Sequence, residues 1–121
     1  MANTDLAEIF DSLKAILEKH SDELVVVTNE PKNYYLDTKY TAPNKKPLFF
    51  GAVKTMSKTV NYYLMPVYIK PELLEGMSSE LKKRMQGKSC FNFKKIEADL
   101  FVELAELTKK GLDEINKSYS V

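Results

Sequence analysis

Six of the seven tyrosines, Tyr34, Tyr35, Tyr40, Tyr62, Tyr63 and Tyr68, fall between residues 34 and 68, with Lys39, Lys45 and Lys46 among them. Aromatic rings interleaved with lysines can stack bases and hold phosphates. They can equally line a small-ligand pocket with a polar rim. Tyrosine is also an ordinary strand residue, and a half-buried ring needs no ligand to explain it. The set that would serve a ligand best is Tyr62 and Tyr63, with the amides Asn61 and Asn92 and the cations Lys45 and Lys46. Nucleic acid is not the expected partner, because a formal net charge of +1 supplies no global attractive field.

Other chemistry is harder to assemble. His20 is the only histidine and Cys90 the only cysteine. A structural zinc site wants four ligands, mostly of those two types. A Ser-His-Asp triad would have to use His20, and no nucleophile motif accompanies it. Cys90 is expected as a buried thiol, since a reactive thiolate needs a cation beside it and Lys88 is only a sequence neighbour. Gly87-Lys88-Ser89 looks like the end of a phosphate-binding loop, but that loop needs a glycine where Lys82 stands. Asp5, Glu8 and Asp11 recur at three-residue spacing, with Glu18 further along. Carboxylates so spaced can hold a cation weakly, and they also make an ordinary solvated face. No catalytic residue emerges, and the chain leans away from being an enzyme.

These side chains must be positioned by a single domain, the natural content of 121 residues. The composition, 44% hydrophobic and 29% charged, is that of a globular protein able to bury its own core. One cysteine rules out an intramolecular disulfide. No apolar run approaches the length of a membrane span, and no basic-apolar leader opens the chain, so a cytoplasmic protein without a membrane partner is expected.

The central feature is Pro47–Lys70, read as two strands joined by a turn at Met56–Thr59. Simple alternation puts Leu48, Phe50, Ala52 and Lys54 on one face and Phe49, Gly51, Val53 and Thr55 on the other. Both faces carry apolar groups, which predicts cover on part of both sides. Gly51 marks a bulge or a close backbone approach. The return strand runs from Val60 to Tyr68, weakening at Pro66, with Tyr62 and Tyr63 on opposite faces. Earlier, Leu6, Ile9, Phe10, Leu13, Ile16 and Leu17 form a helical stripe over Thr4–Lys19, with Asp5 and Glu8 placed for capping. Leu24–Thr28 and Asn33–Lys39 read as strands separated by a turn, and Tyr40–Lys46 as a loop. Later come a short helix over Pro71–Leu74 and a second from a Ser78 or Ser79 cap to about Gln86. A strand over Ser89–Phe93 and a helix over Ala98–Asn116, with Phe101, Leu104, Ala105, Thr108, Leu112 and Ile115 buried, complete the order. Grouped strands between terminal helices predict an α+β fold: an antiparallel sheet with the N- and C-terminal helices on one face.

The runs Pro47–Ala52 (PLFFGA), Tyr63–Tyr68 (YLMPVY) and above all Leu81–Phe93 (LKKRMQGKSCFNF) resemble the YdhG-like family of small bacterial proteins of unknown function. The resemblance extends from about Tyr34 to Ile115. It implies the same α+β architecture. Because some members carry a frataxin-like, iron-chaperone label, it also implies iron as a possible ligand of Asp5, Glu8 and Asp11. The reading of the residues themselves favours a non-enzymatic binding module that takes a small ligand or a protein in a groove beside the central hairpin. Iron handling is the alternative. An exposed strand edge would further allow a homodimer.

Overall fold

The computed structural model describes residues 2–43 and 45–119, and the side chains of 6–43 and 45–118. The fold is α+β, a five-stranded antiparallel sheet with both terminal helices on one face. The strands are β1 (Val25–Glu30), β2 (Asn33–Thr41), β3 (Pro47–Thr55), β4 (Val60–Leu64) and β5 (Cys90–Phe93), and they lie side by side in chain order. Helix α1 (Ala2–Glu18) precedes the sheet. Two short helices, α2 (Met65–Ile69) and α3 (Ser79–Lys83), separate β4 from β5, and α4 (Ala98–Tyr119) closes the chain.

The core forms because α1 and α4 each present one apolar stripe to the same side of the sheet. Ile9, Phe10, Leu13, Ile16 and Leu17 come from α1, and Leu100, Phe101, Leu104, Leu107, Leu112 and Ile115 from α4. They close over Tyr34, Leu36, Val53, Val60, Tyr62, Leu64, Phe91 and Phe93. Each such side chain removed from water contributes about 1.5–3 kcal/mol. Of the expected stripe on α4, Ala105 is only half-buried, and Leu100 and Leu107 carry more of the contact. The capping role expected of Asp5 falls on a side chain outside the described residues.

Three expectations are corrected. The return strand stops at Leu64, because Pro66 has no N–H to give a ladder and instead occupies the first turn of α2. Helix α3 ends at Lys83 and does not reach Gln86. Beyond it the chain is drawn into pairing with β5: Gln86 N–H donates to the Cys90 carbonyl (2.8 Å) and Asn92 N–H to the Arg84 carbonyl (2.7 Å). Segment 84–86 thereby covers the outer edge of β5, leaving β1, with its exposed valines 25–27, as the sheet's open edge.

The third correction concerns β3. Gly51 faces Leu36 across the ladder, and Phe49 faces Asp37, the very next residue, so Phe50 is an extra residue in a β-bulge. The bulge breaks the alternation. Phe50 joins the core with Gly51 and Val53, while Phe49 turns to the other face with Ala52 and Lys54. Gly51 is needed here for close approach. A Cβ at this position would lie 2.9 Å from the Tyr63 carbonyl oxygen and 3.3 Å from Leu17 Cδ2 of α1.

Candidate functional site

The face of the sheet turned away from the helices carries the chemistry. Strand pairing sets its side chains in two rows. Thr28, Tyr35, Ala52, Tyr63 and Cys90 make one, and Glu30, Asn33, Lys54, Asn61 and Asn92 the next. Residues directly opposite in a ladder share a face, so five strands bring five consecutive side chains into line.

The paired tyrosines explain how one sequence feature serves both faces. Tyr34-Tyr35 and Tyr62-Tyr63 each send one ring to either side. Tyr34 and Tyr62 are buried in the core. Tyr62 is 0% exposed, and its hydroxyl hydrogen-bonds the buried Thr108 hydroxyl of α4. Burial pushes its pKa well above the ordinary value of 10.0, with the Thr108 bond offsetting part of the rise. Tyr62 is therefore a core residue and not part of a ligand site, contrary to the sequence expectation. Tyr63 and Tyr35 stand on the open face, both half-buried.

Ala52 lies between those two rings in its row and is fully buried beneath the larger side chains around it. The Lys54 ammonium reaches back over both, 5.8 Å from the Tyr35 ring centroid and 5.6 Å from that of Tyr63. A cation held over two aromatic faces is stabilised by each. Phe49 stacks on Tyr35 at 4.7 Å with an interplanar angle of 30°. Burial raises the pKa of Tyr35 and the negative charge of Asp37 adds to it; Asp37 itself is raised by burial.

A polar chain runs through the second row. The Thr59 hydroxyl donates to Asn61 Oδ1 at 2.9 Å, and Asn61 Nδ2 donates to the Tyr63 hydroxyl at 3.4 Å. The Cys90 thiol donates to Asn92 Oδ1 at 3.2 Å. Asn33 Oδ1 is a buried acceptor with no hydrogen-bond donor among the described residues. Burial raises the Cys90 pKa and a hydrogen bond from Tyr63 offsets part of that, so Cys90 is a protonated, weakly donating thiol at neutral pH.

Of the expected ligand residues, Tyr63, Asn61 and Asn92 are brought together on this face. Lys45 and Lys46 lie in the β2–β3 loop, at the end of the sheet opposite the Met56–Thr59 turn near which Lys54, Asn61 and Asn92 are placed. Chain direction alone separates them: β3 starts at that loop and ends at that turn. The groove expected beside the hairpin is instead an open surface with a pocket at one corner. That pocket, about 480 Å³, is lined by Thr59, Asn92, Arg84, Lys94, Lys95 and Glu97 among others. Lys54 and the Lys94-Lys95 pair are the residues the sequence reading missed. Lys54 was visible as a lone cation in an apolar strand. The lysine pair directly follows β5, and its place beside Thr59 required the β4–β5 register.

Glu8 and Asp11 are exposed on α1, while the Asp5 side chain lies outside the described residues. Among the described residues no three or more His, Cys, Asp or Glu side chains gather where they could share a metal ion. Among them, too, no helix is long and apolar enough to cross a membrane.

No protein-family model, no curated protein and no solved structure matches this chain.

Proposed function

We propose that the chain is a non-enzymatic binding module whose ligand lies on the open face of the sheet. The observation that carries this reading is Lys54 poised above Tyr35 and Tyr63 on a sheet face that the helices leave uncovered. A structural face has no need to line up rings, a cation and three side-chain amides. A planar organic molecule with a polar edge uses the half-buried rings of Tyr35 and Tyr63 for stacking and the Asn92 amide for its edge, while Asn61 holds the Tyr63 hydroxyl in place. The protonated Cys90 thiol favours binding over nucleophilic chemistry. Membership of the YdhG-like family belongs to the same proposal and rests on the motif residues themselves; among the described residues, which leave out the Asp5 side chain, no geometric observation favours the iron reading.

The test is a panel of planar heteroaromatic compounds, adenosine included, followed by residue-resolved NMR. Saturable shifts at Tyr35, Lys54, Asn61 and Tyr63, lost in a Tyr35→Ser/Tyr63→Ser variant that still folds, are expected. Binding that survives those substitutions, or no binding by any of the panel, would overturn the reading.

A further inference from the structure

The corner pocket goes further, resting on the reading above. We propose that it is an anion subsite, and that the ligand is a small phosphorylated aromatic compound, a nucleoside monophosphate in class, with its ring on the open face and its phosphate in the pocket.

The charge balance comes first. The pocket is lined by Lys83, Arg84, Lys94 and Lys95 against the single carboxylate of Glu97, a formal excess of three positive charges in a chain whose net charge is only +1. Much of the pocket's cationic character is already engaged. Lys83 pairs with Glu80 at 3.2 Å, and Glu97 takes Arg84 through Nε (2.8 Å) and Nη2, leaving Nη1 outside the pair. Lys94 and Lys95 form no ion pair among the described residues. Lys95 acts on the Glu97 carboxylate only through its charge, without a direct ion pair, and two adjacent exposed ammonium groups lining a concavity focus a positive potential into it. The Glu97–Arg84 pair fixes the guanidinium in place, the preorganisation that a phosphate site requires.

Neutral donors point the same way. Asn92 Oδ1 is occupied by the Cys90 thiol, so the donor end of its amide, Nδ2, remains for a ligand. Thr59 lines the pocket and is bonded to Asn61, which is bonded to Tyr63. The anion pocket and the aromatic face are thus linked by hydrogen bonds through Thr59 and the buried Asn61, and Asn92 belongs to both the pocket lining and the open-face row. Asn92 faces Asn61 across the β4–β5 ladder, the next pair on this face after Tyr63 and Cys90, so the near edge of the pocket adjoins the row that carries Tyr63.

The experiment is an NMR titration of the wild-type chain with inorganic phosphate, adenosine and adenosine monophosphate (AMP), each at matched ionic strength, repeated on Lys94→Gln/Lys95→Gln. Phosphate alone is expected to give saturable shifts at Thr59, Asn92, Lys94 and Lys95. AMP is expected to bind about tenfold tighter than adenosine, the increment of a charge-assisted contact, and to lose that increment in the double variant, whose adenosine affinity stays unchanged. Both substituted lysines are exposed, so the variant keeps its fold. Phosphate shifts no larger than those of sodium chloride, or equal affinities for AMP and adenosine, would overturn the subsite; adenosine shifts confined to Tyr35, Lys54 and Tyr63 would then leave the open-face reading standing. A single-stranded oligonucleotide binding far more tightly than AMP would overturn the commitment to a small ligand.

Discussion

Removing one hydroxyl from Tyr62 tests whether the paired tyrosines divide between core and surface. The Tyr62 and Thr108 side chains are both 0% exposed, and each hydroxyl is the other's partner. Tyr62→Phe deletes the bond and strands the Thr108 hydroxyl, at a cost of about 1–3 kcal/mol. Thr108→Val strands the phenol instead, at a similar cost. The double variant leaves neither group unpaired and replaces both with apolar groups of similar shape, so it is expected within about 1 kcal/mol of wild type. With single costs of about 2 kcal/mol each, the coupling that a double-mutant cycle measures is about 3–4 kcal/mol. With urea and an m-value of about 1–3 kcal/mol/M, a loss of about 2 kcal/mol moves the midpoint by roughly 1 M, well within resolution. Additive single costs, or single costs below about 0.5 kcal/mol, would refute the buried pair. The pH dependence has a definite sign. The folded state holds the Tyr62 proton above 10.0, where the unfolded chain has lost it, so stability falls as pH rises past that value. The fall is shallower in Tyr62→Phe. Ligand binding on the open face is unchanged in that variant, because its ring lies on the other side.

Other substitutions read the packing. Gly51→Ala sets a Cβ against the Tyr63 carbonyl, which is backbone and cannot swing aside, so urea unfolding should show a loss of about 1–3 kcal/mol. Gly111→Ala should fail to deliver the roughly 1 kcal/mol that alanine normally adds in a helix, because its Cβ would meet Pro66 Cβ at 2.8 Å; a measured stabilisation of that size would show that Pro66 moves freely. Ser78→Ala removes the cap that accepts from Leu81 N–H (3.2 Å) and the hydroxyl that donates to Glu103 (2.7 Å), lowering thermal stability by about 1–2 kcal/mol. Hydrogen bonds from Arg84 hold the Glu97 carboxyl below its ordinary 4.5, so its contribution of about 1.5–3 kcal/mol is present above that pH and is lost as pH falls through the folded value. The stability gap between wild type and Glu97→Gln should therefore close on acidification; a gap independent of pH would count against the pair.

Local patterns in the sequence determined much of this protein. Apolar spacing located α1 and α4, the β-branched and aromatic runs located the strands, and their grouping implied an antiparallel α+β fold, because periodicity is a property of neighbours in the chain. The tyrosine doublets likewise told, by alternation, that one ring of each pair faces each side. Tertiary structure decided which side was which. Only the packing of α1 and α4 made Tyr62 core and left Tyr63 open. Gly51 marked a bulge or a close approach in β3, and both are found there, but only the pairing with β2 decided that Phe50 is the extra residue and that Phe49 turns toward Tyr35. Strand ends behaved the same way: Pro66 announced a break, but that the chain enters a helix there depended on α4 offering Gly111 as a seat. The lysines show the limit most clearly. Lys45 and Lys46 are near the hairpin in sequence and at the far end of the sheet from its amides, whereas Lys94 and Lys95, some thirty residues beyond β4, line the pocket beside Asn92. Sequence distance orders residues along a strand; which of them meet across a sheet is set by pairing, and pairing is settled by the burial of the other face.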